Sequence, residues 1–238
     1  MAELADHGVV LIRADNPSPL TLTGTNTWFV AGWVIDPGPA IPAHLDAVAA
    51  AGDVQGIALT HDHEDHVEGV DGLLERVGDV PVVSARAGAA GGDRAGPLEV
   101  IALPGHSDDH LAFVAGRAGF VGDAVLGEGS VFVTGQLAAY LDGLRELRDR
   151  DLALLGPGHG PPIWDVRGKL DEYIAHRLDR ERRLVAALDR GVTDREALLD
   201  EVWDDAPAAL RPAAALTLES HLEKLEQEGR LPNGVERL

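Results

Sequence analysis

A dense group of potential metal ligands constrains the fold of this chain more than any other feature. Residues 60 to 66 read Thr-His-Asp-His-Glu-Asp-His and follow directly on the apolar run Ile57 to Leu59. That run is typical of a short buried strand, which would deliver the ligands to the loop at its end. In an extended segment His61 and His63 point the same way, and a following turn can bring the Asp-His pair to face a second point. One strand end can therefore serve two metal ions.

Three later strand ends repeat this construction of an apolar run, a glycine that allows a sharp turn, and a ligand-type residue. They end in Gly105-His106, Gly122-Asp123 and Gly158-His159. The repetition predicts one metal centre assembled from four strand ends. The predicted ligands are His61, His63 and His106 for one ion, Asp65, His66 and His159 for the other, and Asp123 as a bridge between them.

The composition of this ligand set predicts its chemistry. Two divalent ions held by five histidines and two carboxylates leave a net positive centre, which lowers the pKa of a shared water to about neutral. The hydroxide that bridges the ions would attack a carbonyl carbon or a phosphorus, and Asp65 and Asp123 are the predicted catalytic carboxylates. Zinc suits five imidazoles, and iron and manganese are compatible with the same mixed ligands.

Composition limits the remaining possibilities. A chain of 238 residues can hold one core of about 150 to 200 residues with a smaller module attached. There is no cysteine, so the metal site must consist of histidine and carboxylate. With no apolar run of membrane-spanning length and no basic leader, we expect a cytoplasmic protein with no membrane partner. The net charge of −20 repels polyanions and argues against DNA as a partner.

The hydrophobic pattern changes at Pro161-Pro162. Before it, strands followed by helices predict a layered α/β sandwich, and we assign residues 1 to 165 to this catalytic domain. After it, residues 166 to 238 are predicted as three helices, the second opened by a Thr193/Glu196 capping box, and a tight turn at 231 to 235 between two short strands. Three helices and a terminal hairpin predict a small winged-helix domain.

The seven predicted ligands, read as His61-x-His63-x-Asp65-His66 followed by His106, Asp123 and His159, resemble the signature of the metallo-β-lactamase fold hydrolases. The resemblance implies an αββα sandwich with a binuclear zinc site in the cleft between the sheet edges. Asn16-Pro17, residues 24 to 27, residues 156 to 161 and the trailing winged helix further resemble the subgroup of β-lactamase-like protein two. That similarity implies cleavage of single-stranded RNA.

Differences between this sequence and three other branches of the family exclude those branches. Asp123 and the lack of cysteine are unlike the antibiotic-hydrolysing lactamases that use a cysteine ligand. The diiron flavoproteins are similar except for a glutamate at the position of His63, so redox chemistry is not expected. The 36 positions between Asp123 and His159 leave no room for the large inserted domain of the CPSF-type RNA nucleases.

Three functions are therefore compatible with the sequence. The first is a binuclear metal-dependent hydrolase of the endoribonuclease-like branch, acting on single-stranded RNA. The second is a hydrolase of a small thioester or ester, as in glyoxalase II, because a thiolate with a pKa near 8.5 leaves without a proton whereas a ribose oxygen needs help from a metal or from an acid such as His110. The third is a winged-helix DNA-binding regulator with a structural metal site. The last long helix carries four glutamates and one lysine, which disfavours a nucleic-acid-binding role.

Several features stay open at this level. His110 is either a proton donor or an ordinary packing residue. The basic cluster Arg177, Arg180, Arg182 and Arg183 either receives a phosphate or carboxylate group or forms ion pairs on a solvated helix. The isolated histidines 7, 44, 176 and 221 are expected to be solvated or hydrogen-bonded. The oligomeric state is open, with a homodimer through the C-terminal domain as one alternative.

Overall fold

Short apolar runs build two five-stranded mixed sheets in the computed structural model, which describes residues 2 to 237. The first sheet follows the order of the chain, with antiparallel pairing of its first three strands and parallel pairing of the last three. Its strands are β1 (Val9–Arg13), β2 (Asn26–Val30), β3 (Trp33–Ile35), β4 (Gly56–Ala58) and β5 (Val82–Val83). The parallel arrangement of β3 and β4 brings the carboxyl ends of these two strands together.

The second sheet has the order β10-β9-β8-β7-β6, antiparallel except for the parallel pair of β9 and β10. Its strands are β6 (Arg94–Ala95), β7 (Leu98–Ala102), β8 (Leu111–Ala115), β9 (Ala118–Gly122) and β10 (Leu154–Pro157). Both β9 and β10 are buried along their whole length, which explains why they read as continuous apolar runs rather than as alternating ones.

Helices cover the outer faces of the two sheets and continue into the C-terminal region. They are α1 (Ala2–Asp6), α2 (Pro42–Ala49), α3 (Glu64–Val67), α4 (Val70–Val77), α5 (Leu137–Asp149), α6 (Val166–Asp189), α7 (Arg195–Val202) and α8 (Arg211–Gln227), with a 3₁₀ turn at Ala208–Leu210. None of the helices among residues 2 to 237 is both long enough and apolar enough to cross a membrane.

Three apolar clusters hold the four layers of the sandwich together. Trp28 and Ile35 of the first sheet pack with Phe113 and Phe120 of the second in the cluster between the sheets. A second cluster joins the first sheet to α2 and α4, and a third joins the second sheet to α5 and the first half of α6. This is the predicted αββα arrangement, in which each sheet buries one face against the other sheet and one against helices.

Helix α6 contributes to two cores. Its first half places Leu170 and Tyr173 in the sandwich core, and its second half places Leu184 and Leu188 in a separate cluster with α7 and α8. The predicted division after residue 165 therefore falls at the start of a helix that contacts both parts of the chain, and it stays a prediction.

The C-terminal region differs from the predictions in two details. The N-cap of α7 is Asp194, whose carboxylate accepts a hydrogen bond from the Ala197 amide at 2.7 Å, and not Thr193. The turn at Asn233-Gly234 is present, but residues 230 to 237 contain no strand, so the predicted flanking strands are wrong. The Glu236 amide instead donates to the Thr193 carbonyl at 3.0 Å, which fixes this segment against the start of α7.

Candidate metal centre

The His-x-His-x-Asp-His segment begins three residues after the end of β4 and ends in a short helix. His61 and His63 lie in the loop, with ring centroids 4.4 Å apart. The second pair, Asp65 and His66, lies on α3, which was not predicted and which provides the turn that the sequence required. The segment therefore presents its ligand-type side chains in two pairs.

The first pair, His61 and His63, lies close to residues that follow strands of the second sheet. One donor atom each from His61, His63, His106 and Asp123 lie within 4.8 Å of one another. His106 follows β7, and its Nε2 lies 3.2 Å from His63 Nδ1 and 3.8 Å from Asp123 Oδ2. These four side chains can surround one ion.

The second pair, Asp65 and His66, lies close to His159, which follows β10. Donor atoms of Asp65, His66 and His159 also lie within 4.8 Å of one another. Asp123, directly after β9, lies between the two groups: its Oδ2 is 3.2 Å from His159 Nε2 and its Oδ1 is 3.6 Å from His66 Nε2. The structure thus brings all seven predicted residues into one cluster, with Asp123 in the middle.

A buried aspartate that sequence reasoning missed supports this cluster from behind. Asp36, 1% exposed, accepts hydrogen bonds from the Thr60 amide and hydroxyl, both at 2.7 Å, and from His66 Nδ1 at 2.9 Å. Because the Thr60 hydroxyl donates to Asp36, it accepts from His61 Nδ1, which lies 2.9 Å away. In their neutral forms both histidines therefore carry the proton on Nδ1 and leave Nε2 as the acceptor that a metal requires.

A third possible ion group, made of Asp36, His61 and His66, is explained by the same bonds. Its carboxylate is already occupied by Thr60 and His66, so Asp36 acts as an orienting partner and not as a ligand. The sequence signal for Asp36 was weak, because the Asp-Pro-Gly-Pro run after β3 indicates only a turn.

Polar residues of the loop before β2 orient the second group. The Thr25 hydroxyl donates to Asp65 Oδ2 at 2.8 Å and accepts from the Asn16 amide at 3.0 Å. The Gly24 carbonyl lies 3.5 Å from His159 Nδ1 and can accept its proton, which leaves Nε2 toward the two carboxylates. The Asn16 and Gly24-Thr25 positions noted in the sequence thus contact the candidate metal site.

Charges within the cluster are strongly coupled. Burial opposes protonation of His66, but the Asp123 and Asp36 carboxylates raise its pKa well above the ordinary value. Burial opposes ionisation of Asp123, yet His66 and His159 hold its pKa well below the usual range. Burial, followed by the charge of His66, lowers the pKa of His61. Protons and metal ions thus compete for the same nitrogen and oxygen atoms, so binding of a metal would release a proton from His66.

Unsatisfied buried atoms test whether the site suits metal ions. Among the described residues, Nε2 of His61, Nε2 of His66 and Oδ1 of Asp123 are buried without a hydrogen-bond partner. A buried polar atom without a hydrogen-bond partner lowers the stability of the fold unless a ligand binds it. Three such atoms at the centre of a histidine and carboxylate cluster fit divalent ions of the borderline or hard type.

Two glycines make the close approach possible. A Cβ at Gly158 would lie 2.3 Å from Asp123 Oδ1 and 2.7 Å from His66 Cε1. Gly122 has a φ of 45°, and a Cβ there would lie 2.4 Å from the Thr60 hydroxyl. The glycines at these strand ends therefore provide space for the cluster as well as the turn.

The histidines outside the predicted site behave differently from one another. His110 is buried and stacks on His61 with ring centroids 4.9 Å apart; burial, then the charge of His106, lowers its pKa to about 3. His110 is therefore neutral at pH 7, and neither of its buried ring nitrogens is bonded to a described residue. His44 bonds to Thr27 as expected, but His221 is buried with neither ring nitrogen bonded to a described residue, so the expectation for it is wrong.

The four arginines of the basic cluster separate into two kinds. Arg180 forms a two-pronged ion pair with Asp205, while Arg182 and Arg183 pair with Asp179 and Asp204. Arg177, in contrast, is 2% exposed and makes no ion pair with a described residue. Three of the four arginines thus form ion pairs, but only Arg182 pairs with a carboxylate of its own helix, and Arg180 is buried.

Known proteins resemble this chain over most of its length. A family profile described as "Beta-lactamase associated winged helix domain" matches residues 196 to 233. The Beta-lactamase-like protein 2 homolog of Caenorhabditis elegans is 31% identical over 97% of this chain and 88% of its own length. The Atrochrysone carboxyl ACP thioesterase nsrC of Aspergillus novofumigatus is 31% identical over 76% of this chain and 62% of its own length.

Solved structures agree with these relatives. A metallo-β-lactamase family protein from Thermus thermophilus matches with a TM-score of 0.64 and 26% identity, covering 94% of both chains. The protein TTHA1623, crystallised in a di-iron-bound form, matches with a TM-score of 0.54 and 28% identity over 68% of this chain and 96% of its own.

The chain therefore belongs to the metallo-β-lactamase superfamily, as a metal-dependent hydrolase with a C-terminal winged helix. This membership confirms the predicted family, fold class and enzymatic character.

Proposed function

We propose that the seven clustered side chains bind two divalent ions. His61, His63 and His106 would hold one ion, Asp65, His66 and His159 the other, and Asp123 both. Three observations support this set: the two groups of converging donors, the position of Asp123 between them, and the orphaned buried atoms that point into the cluster. Zinc is the proposed ion because five imidazoles suit it, and the di-iron form of TTHA1623 supports iron as the alternative.

The chain's own residues prepare this site by fixing proton positions. Asp36 and Thr60 hold the protons of His66 and His61 on Nδ1, and Thr25 donates to Asp65, so the acceptor atoms face the cluster. When bound, the ions supply an ionised water at neutral pH and stabilise negative charge on the substrate oxygen. The protein then needs no separate side chain to act as the base that activates water.

The substrate that we propose is a small thioester. Its leaving thiolate has a pKa of about 8.5 and needs no general acid. His110, the side chain that the sequence offered as an acid, is buried against His61 and neutral at pH 7. Relatives named as ACP thioesterases, at 31 to 33% identity, support a thioester as the substrate.

One electrostatic observation carries the choice of a thioester over RNA. Among residues 166 to 237, each lysine and arginine except Arg177 lies within ion-pair distance of a carboxylate. Lys224 is the one basic residue predicted on the last helix. Its Nζ lies 2.8 Å from a carboxylate oxygen of Glu181 and 2.6 Å from one of Glu228. A surface whose bases are already neutralised, on a chain of net charge −20, offers little counterion release to a polyanion.

RNA cleavage is the second candidate. It is supported by the end-to-end similarity to Beta-lactamase-like protein 2 homologs and by the winged helix, together with the resemblance that implies a single-strand-preferring nuclease. The cluster itself is compatible with attack on phosphorus as well as on a carbonyl carbon.

A paired assay separates the two candidates. One metal-loaded preparation is tested against an S-acyl thioester and a labelled single-stranded RNA, each with and without chelator. We expect chelator-sensitive thioester turnover and no RNA cleavage. RNA cleavage that chelator abolishes, without thioester turnover, would overturn the proposed substrate. A parallel assay of Asp123→Ala controls for contaminating activity, because the substitution removes the bridging carboxylate and should abolish turnover.

A further inference from the structure

A cavity of about 220 Å³ lies between the loop after β9 and the C-terminal helices. The segment Ser130 to Phe132 forms one wall, and side chains of α6, including Arg177 and Arg180, form another. Trp203 and Thr217 line the remaining side. None of these residues belongs to the metal cluster, so the cavity is a distinct feature of the chain.

Arg177 is the unusual group in this cavity. Its guanidinium donates to the Val131 carbonyl and to the Ser130 hydroxyl at 3.4 Å, and its buried Nε has no partner among the described residues. Both acceptors are neutral, and so is the nearby Tyr140, because burial raises the pKa of its hydroxyl more than the charge of Arg177 lowers it. An arginine side chain cannot lose its charge, and a buried charge with only neutral partners is costly.

The other charged groups of the cavity wall compensate each other. Arg180 donates to both carboxylate oxygens of Asp205 at 2.7 Å and lies over the Trp203 ring. His176 is kept neutral by burial, and next by the charge of Arg177, both of which lower its pKa. The wall thus carries one net positive charge, which belongs to Arg177, in a region otherwise rich in acidic residues.

The cavity is close to the metal cluster along the chain. The loop that forms its wall is anchored at one end by the Gly127 amide, which donates to the His159 carbonyl at 3.0 Å. At the other end, the Thr134 hydroxyl donates to the His106 carbonyl at 3.1 Å. Val131 is three residues from Thr134, so their Cα atoms are at most about 11 Å apart. The loop that lines the cavity is therefore bonded at both ends to segments that carry residues of the metal cluster.

We propose that this cavity binds a phosphate group carried on the thiol half of the thioester substrate, with Arg177 as its charged contact. The inference rests on the proposed thioesterase function and specifies its substrate as a phosphorylated thiol ester, such as an acyl group on 4′-phosphopantetheine. A phosphate oxygen supplies the anionic acceptor that Arg177 lacks, and the fork of a guanidinium matches its geometry. Arg177 is then a specificity-determining residue that does not touch the reacting bond.

The test compares S-acetyl-4′-phosphopantetheine with S-acetylpantetheine, which differ only in the phosphate. We expect kcat/KM of the wild-type enzyme to be about 10- to 100-fold higher for the phosphorylated substrate, mainly through KM, as a charge-assisted contact provides. Arg177→Gln should reduce this ratio to about 1 to 2. The matched control is Arg183→Gln on the same helix, which removes an arginine that is paired with Asp204 and should leave the ratio unchanged.

Calorimetric binding of 4′-phosphopantetheine, pantetheine and inorganic phosphate provides a second readout that does not depend on turnover. We expect only the phosphorylated compounds to bind measurably, and 4′-phosphopantetheine to bind more tightly than inorganic phosphate. If Arg177→Gln fails to fold, Arg177→Lys keeps the charge without the fork. The lysine variant should then show an intermediate ratio.

The outcomes distinguish the two proposals. Equal turnover of both thioesters by the wild type, or a ratio that Arg177→Gln does not change, would overturn the phosphate site and leave the thioesterase function intact. In that case Arg177 serves only to anchor the loop through Val131. Binding of 4′-phosphopantetheine that depends on Arg177, without turnover of either thioester, would support the phosphate site and refute the proposed reaction.

Discussion

Replacing Asp36 by asparagine is the sharpest test of how the chain prepares its metal ligands. Oδ2 of Asp36 accepts from the Thr60 hydroxyl and from His66 Nδ1. An asparagine with its amide nitrogen at that position would donate to both groups and force His66 to carry its proton on Nε2. With the amide reversed, its NH₂ group would face the Thr60 amide, which is also a donor. Asparagine tolerates the φ of 51° at this position, so the backbone need not change.

The expected cost follows from the loss of these orienting bonds. Partners of this kind are worth roughly 10- to 100-fold in metal affinity, or about 1.4 to 2.8 kcal/mol. Because the protonated Nε2 of His66 would face Asp65 and Asp123, the loss should fall on the group that also contains His159. We therefore expect one ion to be weakened more than the other.

The assay is competition of the protein with a chromogenic chelator, performed at equal ionic strength on wild-type and variant chains. Asp62→Asn is the matched control, since Asp62 lies in the same segment but pairs with the exposed Arg86 and belongs to neither donor group. Metal affinity of Asp36→Asn within twofold of this control would refute the orienting role of Asp36. Thermal unfolding of the metal-free variants checks that both are folded.

Three further predictions concern packing and pH. Gly158→Ala places a methyl group 2.3 Å from Asp123 Oδ1 and should abolish stoichiometric metal binding. The control Gly135→Ala makes only an ordinary contact at 3.4 Å and should keep the metal. Elemental analysis measures the metal content of both variants. Burial, followed by the charge of Arg177, lowers the pKa of His221 to about 3, so the unfolded chain binds a proton below pH 6.5 that the folded chain does not. Stability is then lost as the pH falls from 6.5 toward 3, by about 2 kcal/mol at pH 5, and His221→Leu should remove this loss in urea titrations at several pH values. Leu222→Ala empties a fully buried position of the C-terminal cluster and should lower the free energy of unfolding by about 2 to 5 kcal/mol; a loss below 1 kcal/mol would contradict the packing described.

The sequence alone predicted the features that depend on residues close together in the chain. An apolar run, a glycine and a ligand-type residue occur together within a few positions, so His106, Asp123 and His159 were visible without the fold. The repetition of this pattern at successive strand ends indicated that the residues would meet. The amphipathic helices and the family resemblance fixed the remaining architecture.

The features that it missed depend on which segments become neighbours. Asp36 reaches Thr60 because β3 and β4 are paired in parallel, with Ile35 opposite Ala58. No local pattern encodes that contact. The same applies to the arginines of α6, which look equivalent in the sequence. Asp204 and Asp205, more than twenty residues later, neutralise two of them and leave Arg177 without a carboxylate.

The metal content of the purified chain tests the central claim most directly. Elemental analysis, combined with a protein concentration from amino-acid analysis, should give two divalent ions per chain for the wild type. Asp123→Ala should retain less than one ion per chain, because the carboxylate that lies between the two groups is gone. A wild-type content of one ion or none after metal loading, or two ions retained by Asp123→Ala, would contradict the binuclear centre.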